Sequence, residues 1–379
     1  MPILDSIKRS ATVSLNDLIN ELKSKGVKVL SLAVGEPHFN TEREIIEEAY
    51  RAMINGETHY VSSQGIIQLR EAIAKKASLE NLIPASASNV VIVPAKFAIY
   101  ASLIALLDEG DEVLLPNPCW VSYESQIILA RGKPVYYDLN DDFSLNFDEI
   151  SFKLSDKTKA IIINSPHNPT GYVLTKEEME HVVELAKDYN LYIISDEIYE
   201  KYIYEGKHIS PASLDFDRTI TINGFSKAFA MTGWRLGYLI ANKDIINKVV
   251  TFVEQTLTCI PPFIQKAGVK SLELGEKIYK RYVEEYKKAR DYVYERLSKI
   301  NNIAVNKPGG AFYMFPRYLI NVDSYTLAQE LLLKKGVAIV PGSSFGSRGE
   351  FHFRISYATS FEILKEAMDR IENYFDGYR

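Results

Sequence analysis

The chain has 379 residues, a formal net charge of −5, 46% hydrophobic residues and 25% charged residues. That balance excludes a disordered polymer and a polycation built to neutralise a nucleic-acid backbone, and the length predicts about two domains. The two cysteines, Cys119 and Cys259, are far apart and have no neighbour at a metal-ligating spacing, which excludes a disulfide framework; no metal is expected.

The amino terminus carries Asp5, Lys8 and Arg9 with no apolar run behind them, so a secretory leader is not expected. No stretch reaches the ~20 apolar residues of a membrane span. The expectation is a cytoplasmic protein with neither a membrane nor a nucleic-acid partner. From about residue 88, short apolar runs alternate with periodic ones. Residues 90–93 read as a strand, 98–107 as a helix, 112–115 as a strand, 121–130 as a helix and 134–137 as a strand. Residues 159–163, 191–194, 219–222 and 236–240 read as further strands, with a helix over 177–189. Most of these apolar runs are continuous rather than alternating, as in strands covered on both faces. The fold class predicted is α/β, a large domain with a mostly parallel sheet flanked by helices. A long charged and aromatic helix over about 275–300 leads out of it. Beyond, Gly309-Gly310, Pro341-Gly342 and Gly346 mark turns in a smaller α+β domain. No flexible linker separates the two, so a site is expected between them or at the carboxyl ends of strands.

The fingerprints G-x-G-x-x-G, G-x-x-x-x-G-K-[ST] and H-E-x-x-H are missing, which removes the usual support for dinucleotide, P-loop and zincin chemistry. What remains is polar residues at three strand ends. One run passes into Asn164 and Asn168-Pro169-Thr170-Gly171, a second into Asp196-Glu197-Ile198-Tyr199, and a third into Asn223-Gly224-Phe225-Ser226-Lys227. They offer an amide, a carboxylate with a phenol, and an amine. Each has a plain alternative: a turn at 168–171, a helix cap at Asp196, a solvated Lys227. The apolar neighbours Phe225, Ala228, Phe229 and Met231 favour function for Lys227, because desolvation lowers an amine's pKa and leaves it nucleophilic.

The strings Val34-Gly35-Glu36-Pro37, Asn168-Pro169-Thr170-Gly171, Ser195-Asp196-Glu197-Ile198-Tyr199, Gly224 to Lys227 with Gly233-Trp234-Arg235, and Phe353-Arg354-Ile355-Ser356-Tyr357-Ala358 resemble the fold type I pyridoxal-phosphate aminotransferases. More narrowly, the chain is similar to the prokaryotic branch of the aspartate aminotransferase family, in order from about Ser10 to its end. The resemblance implies a large cofactor domain over 31–284 and a small domain built from 1–30 and 285–379. It implies that Lys227 holds pyridoxal 5'-phosphate as a Schiff base and moves the substrate proton, that Asp196 faces the ring nitrogen, and that Tyr199 and Asn168 donate to the ring oxygen. Trp120 is implied to stack on the ring, and Ala95, Lys96, Ser226 and Arg235 to hold the phosphate. Tyr60 is implied to reach that phosphate from the other subunit of a homodimer. Arg354, with Gly35 and Asn168, is implied to take the substrate α-carboxylate, and Ser10, Thr12 and Lys96 the distal carboxylate of an acidic substrate. Taken singly, Trp120 also reads as a core residue, Arg354 as a surface ion-pair member, and Ser10 and Thr12 as helix caps.

The implied reaction is a ping-pong aminotransfer between amino acids and 2-oxo acids, with aspartate as donor and 2-oxoglutarate as acceptor. An aromatic, kynurenine-type or broad-specificity aminotransferase and a carbon–sulfur β-lyase on the same scaffold are the alternatives. Three positions depart from the family pattern. Gly224 stands where some members carry serine, Pro94 where glycine is frequent, and residues 256–262 offer no arginine.

Overall fold

The computed structural model describes residues 3–7 and 11–378. The main sheet has seven strands in the order Val90–Ile92, Gly237–Ile240, Thr219–Gly224, Tyr192–Asp196, Thr158–Asn164, Glu112–Asn117, Lys133–Asp138. Gly237–Ile240 is antiparallel to both neighbours and the other pairs are parallel. The register explains the continuous apolar runs. Leu114, Ile161, Ile163 and Ile193 share a core with Met179 and Val182 of the helix Lys176–Asp188. Val113, Leu115, Ile162, Ile194 and Ile222 share the opposite core with the helices Ala95–Leu106 and Lys243–Thr256. Successive side chains of one strand thus enter different cores, each contributing about 1.5–3 kcal/mol by burial, and the sheet becomes a stiff platform.

Strand ends run further than the apolar pattern predicts. Thr158–Asn164, Tyr192–Asp196 and Thr219–Gly224 extend into polar residues, because backbone pairing continues where the apolar run stops; Asn164 and Asp196 are register partners. The helix predicted from residue 98 begins at Ala95, directly after Pro94 at φ −57°. Proline is preset for a helix start, where its missing N–H removes no bond. The helix Lys176–Asp188 is anchored by a reciprocal cap between Thr175 and Glu178.

The rest of the chain forms a smaller α+β part. Tyr313–Met314, Phe353–Ser356 and Val340–Pro341 make an antiparallel sheet, with the helices Glu276–Ser298, Ser324–Lys335 and Phe361–Asp376 against it. Leu30–Ser31 pairs in parallel with Val337–Ala338, which ties the amino-terminal segment to the carboxyl-terminal part. One apolar core runs from Tyr199 and Phe225 through Tyr286 to Ile355 and Met368, so the two parts meet without a linker. Among the described residues no helix is long and apolar enough to cross a membrane.

Candidate active site

The carboxyl ends of the strands Thr158–Asn164 and Tyr192–Asp196, the loop after Thr219–Gly224 and the start of the helix Ala95–Leu106 converge on a cavity of about 320 Å³. The smaller part closes it with Tyr313 and Arg354, and the segment Ala33–Gly35 covers one side.

Asp196 is buried at the end of its strand. Its Oδ2 accepts a 2.8 Å bond from Tyr123 Oη and its Oδ1 a 3.3 Å bond from the Ile198 N–H. Burial raises this carboxyl to about 6, while the Tyr123 and Ile198 bonds favour the anion and oppose the rise. Lys227 Nζ donates to the Gly35 carbonyl at 2.6 Å. Burial lowers the amine to about 8; Arg354 and Arg235 push the same way, and Glu36 and Asp196 push back. An amine so poised is available as a nucleophile and as a base near neutral pH. Tyr199 Oη lies 2.8 Å from Tyr313 Oη, and burial holds the Tyr199 phenol well above its ordinary range.

Arg354 is 3% exposed, which settles its face: it points into the cavity and is no surface ion-pair member. One guanidinium nitrogen donates to Asn168 Oδ1 at 2.9 Å and another to the Ala33 carbonyl at 2.8 Å. The Tyr313 ring lies 4.4 Å from its guanidinium carbon and the Phe345 ring 5.0 Å. Its Nε–H is buried without an acceptor, a donor left for an incoming anion. Because Asn168 Oδ1 is engaged, the nitrogen end of that amide is the one left to donate.

Trp120 is half-buried on the cavity wall rather than in the core, with the Lys96 ammonium 5.0 Å from its ring centre. Burial first, and then Arg235, lowers the Lys96 amine. Ala95 and Lys96, the first residues of the helix Ala95–Leu106, line the cavity together with Ser226 and Arg235, a combination of helix start, hydroxyl and cation that suits an anion. Gly224 has a steric reason to depart from serine. A Cβ there would sit 2.9 Å from Gly237 Cα and 3.1 Å from the Leu236 carbonyl. A Cβ on Gly237 would in turn meet the Ala95 nitrogen at 2.7 Å, so two glycines let the strand pair approach the helix start.

Gly35, Ala95, Lys96, Trp120, Asn168, Asp196, Tyr199, Ser226, Lys227, Arg235 and Arg354 all line this one cavity. Tyr60 does not; it stands on the surface, 86% exposed. Ser10 lies outside the described residues, and so does the side chain of Thr12 in the helix Ala11–Ser24. Sequence reasoning missed Tyr123 and Tyr313. Neither had a signal in the sequence: Trp120 precedes the helix Ser122–Leu129 that carries Tyr123, so helical spacing does not link the two. A wider depression of about 880 Å³ adjoins the cavity and shares Val34 and Thr232 with it, but its walls hold neither the lysine nor the buried carboxylate.

The chain as a whole is similar to proteins of one family. The family described as aminotransferase class I and II matches residues 27–371. The chain is 46% identical to an aspartate aminotransferase of Pyrococcus abyssi, covering 97% of this chain and 96% of the relative. It is 43% identical to aromatic-amino-acid aminotransferase 2 of Thermococcus litoralis over the same shares, 97% and 96%. Among solved structures, Thermus thermophilus aspartate aminotransferase with maleate superposes at a TM-score of 0.94, with 36% identity and 98% of each chain covered.

Proposed function

We propose that this chain, which belongs to the aminotransferase class I and II family, moves the amino group of L-aspartate to 2-oxoglutarate and holds pyridoxal 5'-phosphate in the cavity at Lys227. The observation that carries the reading is the convergence, in one cavity, of a half-buried amine lowered to about 8, a buried carboxylate and a buried guanidinium with an unpartnered N–H.

The donor set fits that cofactor. Lys227 would hold it through the aldehyde, Asp196 at the ring nitrogen, Tyr199 and Asn168 at the ring oxygen, and Trp120 against the ring face. Ser226, Arg235 and the N–H groups of Ala95 and Lys96 would hold the phosphate. When bound, the cofactor supplies an exchangeable aldehyde and an electron-withdrawing ring that make the substrate Cα proton removable. Lys227 Nζ would be the group that takes and holds that proton, since its lowered pKa leaves part of it free to accept near neutral pH. Arg354 orients the α-carboxylate by planar, paired donation, which a lysine cannot reproduce. Asp196 contributes only as the anion, so its titration sets the acid limit of the reaction.

Aspartate is favoured by Lys96, a cation on the cavity wall with no carboxylate partner among the described residues, and by the relatives named for it. Aromatic donors are the second reading, supported by the Thermococcus litoralis relative and by apolar lining at Val34, Ile99 and Tyr313. A homodimer belongs to the same proposal: Tyr50, Met53, Ile54 and Tyr60 are exposed near one another in the chain, an apolar surface that a second copy would cover, and Tyr60 would then serve the partner's phosphate corner. So do a cytoplasmic setting and the division into 31–284 against 1–30 with 285–379; the pairing of Leu30 with Val337 supports the grouping of the amino-terminal segment with the carboxyl-terminal part.

The test is reconstitution with pyridoxal phosphate, borohydride trapping and peptide mass mapping, followed by a donor panel with 2-oxoglutarate. An adduct on Lys227 and a higher kcat/KM for aspartate than for tyrosine or kynurenine are expected. An adduct on another peptide refutes the cofactor assignment. A tyrosine or kynurenine advantage refutes the aspartate assignment alone. Pyruvate released from cysteine conjugates without any oxo acid would mark a lyase instead.

A further inference from the structure

We propose that Tyr313 is a positioning residue of this site: its hydroxyl backs Tyr199 at the cofactor's ring oxygen, and its ring face seats Arg354 for the substrate carboxylate. The proposal rests on the reading above and concerns a residue that no motif singled out.

The geometry comes from strand register. Tyr313 pairs with Ser356, two residues along the strand from Arg354, so the aromatic ring and the guanidinium are diagonal neighbours on one face, a spacing that long side chains bridge. The guanidinium carbon sits 4.4 Å from the ring centre. The ring is 1% exposed, and its Oη lies 2.8 Å from Tyr199 Oη. Gly35 closes over the hydroxyl: a Cβ on Gly35 would sit 2.3 Å from Tyr313 Oη, and the Gly35 carbonyl is the acceptor of Lys227. One side chain therefore touches the phenol, the guanidinium and the backbone that meets the amine.

Proton accounting then assigns the hydroxyl its task. Each phenol has one proton to donate. Once Tyr199 points its proton at the ring oxygen, its own oxygen can only accept, and Tyr313 is the donor at hand. A donation into Tyr199 makes that phenol the stronger donor in turn, as in any chain of hydrogen bonds. Phenylalanine at 313 keeps the ring under Arg354 and deletes only this link. The other charged groups facing the pair are Arg354, Asp196 and Glu36, with the Lys227 ammonium 6.0 Å from the Tyr199 ring centre; all remain in the variants.

The experiment uses the cofactor-loaded protein and two readouts besides turnover: the pH midpoint of the bound cofactor's visible absorbance, and the Kd for maleate, an unreactive dicarboxylate. Tyr313→Phe is expected to raise the midpoint by about 0.5–1 unit, the worth of one neutral hydrogen bond, and to leave the maleate Kd within about twofold. Tyr313→Leu is expected to raise the midpoint similarly and to weaken maleate about tenfold, since the desolvated cation–ring contact is lost as well. A Tyr313→Phe midpoint within about 0.2 unit of the parent overturns the proposal, as does equal loss of maleate binding in both variants. Should Tyr313→Leu fail to load cofactor, Tyr313→Phe decides alone. Absence of any visible absorbance in the unmutated chain would refute the parent reading instead.

Discussion

Deleting the Tyr123 hydroxyl should move the Asp196 carboxyl by an amount that the structure sets. The bond from Tyr123 Oη to Asp196 Oδ2 is 2.8 Å, and a hydrogen bond to a buried carboxylate is worth about 1.5–3 kcal/mol. At about 1.36 kcal/mol per pKa unit, Tyr123→Phe raises the carboxyl by about one to two units. The starting value is about 6, so the variant titrates at about 7–8. The Ile198 N–H bond and the Glu197 charge, which act on the same group, are unchanged. The sign follows from burial. The folded carboxyl titrates above its ordinary 3.8, so its contribution to stability is complete below that value and is lost as pH rises through about 6. In Tyr123→Phe the loss continues to about 7–8. At pH 7 most parent chains then carry an Asp196 anion able to face a protonated ring nitrogen, whereas about half to nine-tenths of the variant chains carry the neutral acid. Cofactor affinity should fall about two- to tenfold at pH 7 and recover at pH 9. The assay is infrared titration of the carboxyl band in cofactor-free protein labelled at aspartate, with the band assigned by its loss in Asp196→Asn. A variant midpoint within about 0.3 unit of the parent refutes the reasoning.

Labelling of Lys227 by an amine reagent in the cofactor-free chain should rise with pH and level off above about 8; a midpoint near the ordinary 10.5 would show that the amine is solvated. Arg354→Lys removes planar two-point donation and should raise KM for every amino donor about 10–100-fold, read from kcat and KM together. Lys96→Ala should cut kcat/KM at least about tenfold for aspartate and change it less than about threefold for phenylalanine; an equal loss for both would assign Lys96 to the cofactor alone. Gly35→Ala drives a methyl to 2.3 Å from Tyr313 Oη and should cost about 1–3 kcal/mol, with Tyr313→Phe relieving part of it in the double variant. Thermal midpoints of the four chains check this, and strict additivity would place the clash elsewhere.

Local rules carried the platform and most of the site. The apolar runs of four residues before Asn164 and before Ser195-Asp196 mark strands because a strand buried on both faces carries mostly apolar residues until its end, and the start of the helix Lys176–Asp188 is set by Thr175 and Glu178 three residues apart. Lys227 stood out because its own loop supplies the apolar neighbours. Other features lie in no window of sequence. Tyr123 meets Asp196 across 73 positions and Tyr313 meets Tyr199 across 114. The face of Arg354 was undecidable from strand alternation until the pairing of Tyr313 with Ser356 placed it inward. The reason for Gly224 exists only because Gly237 passes 2.9 Å from where its Cβ would be. Backbone conformation is decided by sterics within a few residues, and those the sequence states directly. Proton affinities and close approaches depend on distance and on exclusion of water, and only the folded chain brings residues 35, 123, 196, 227, 313 and 354 near enough for either to act.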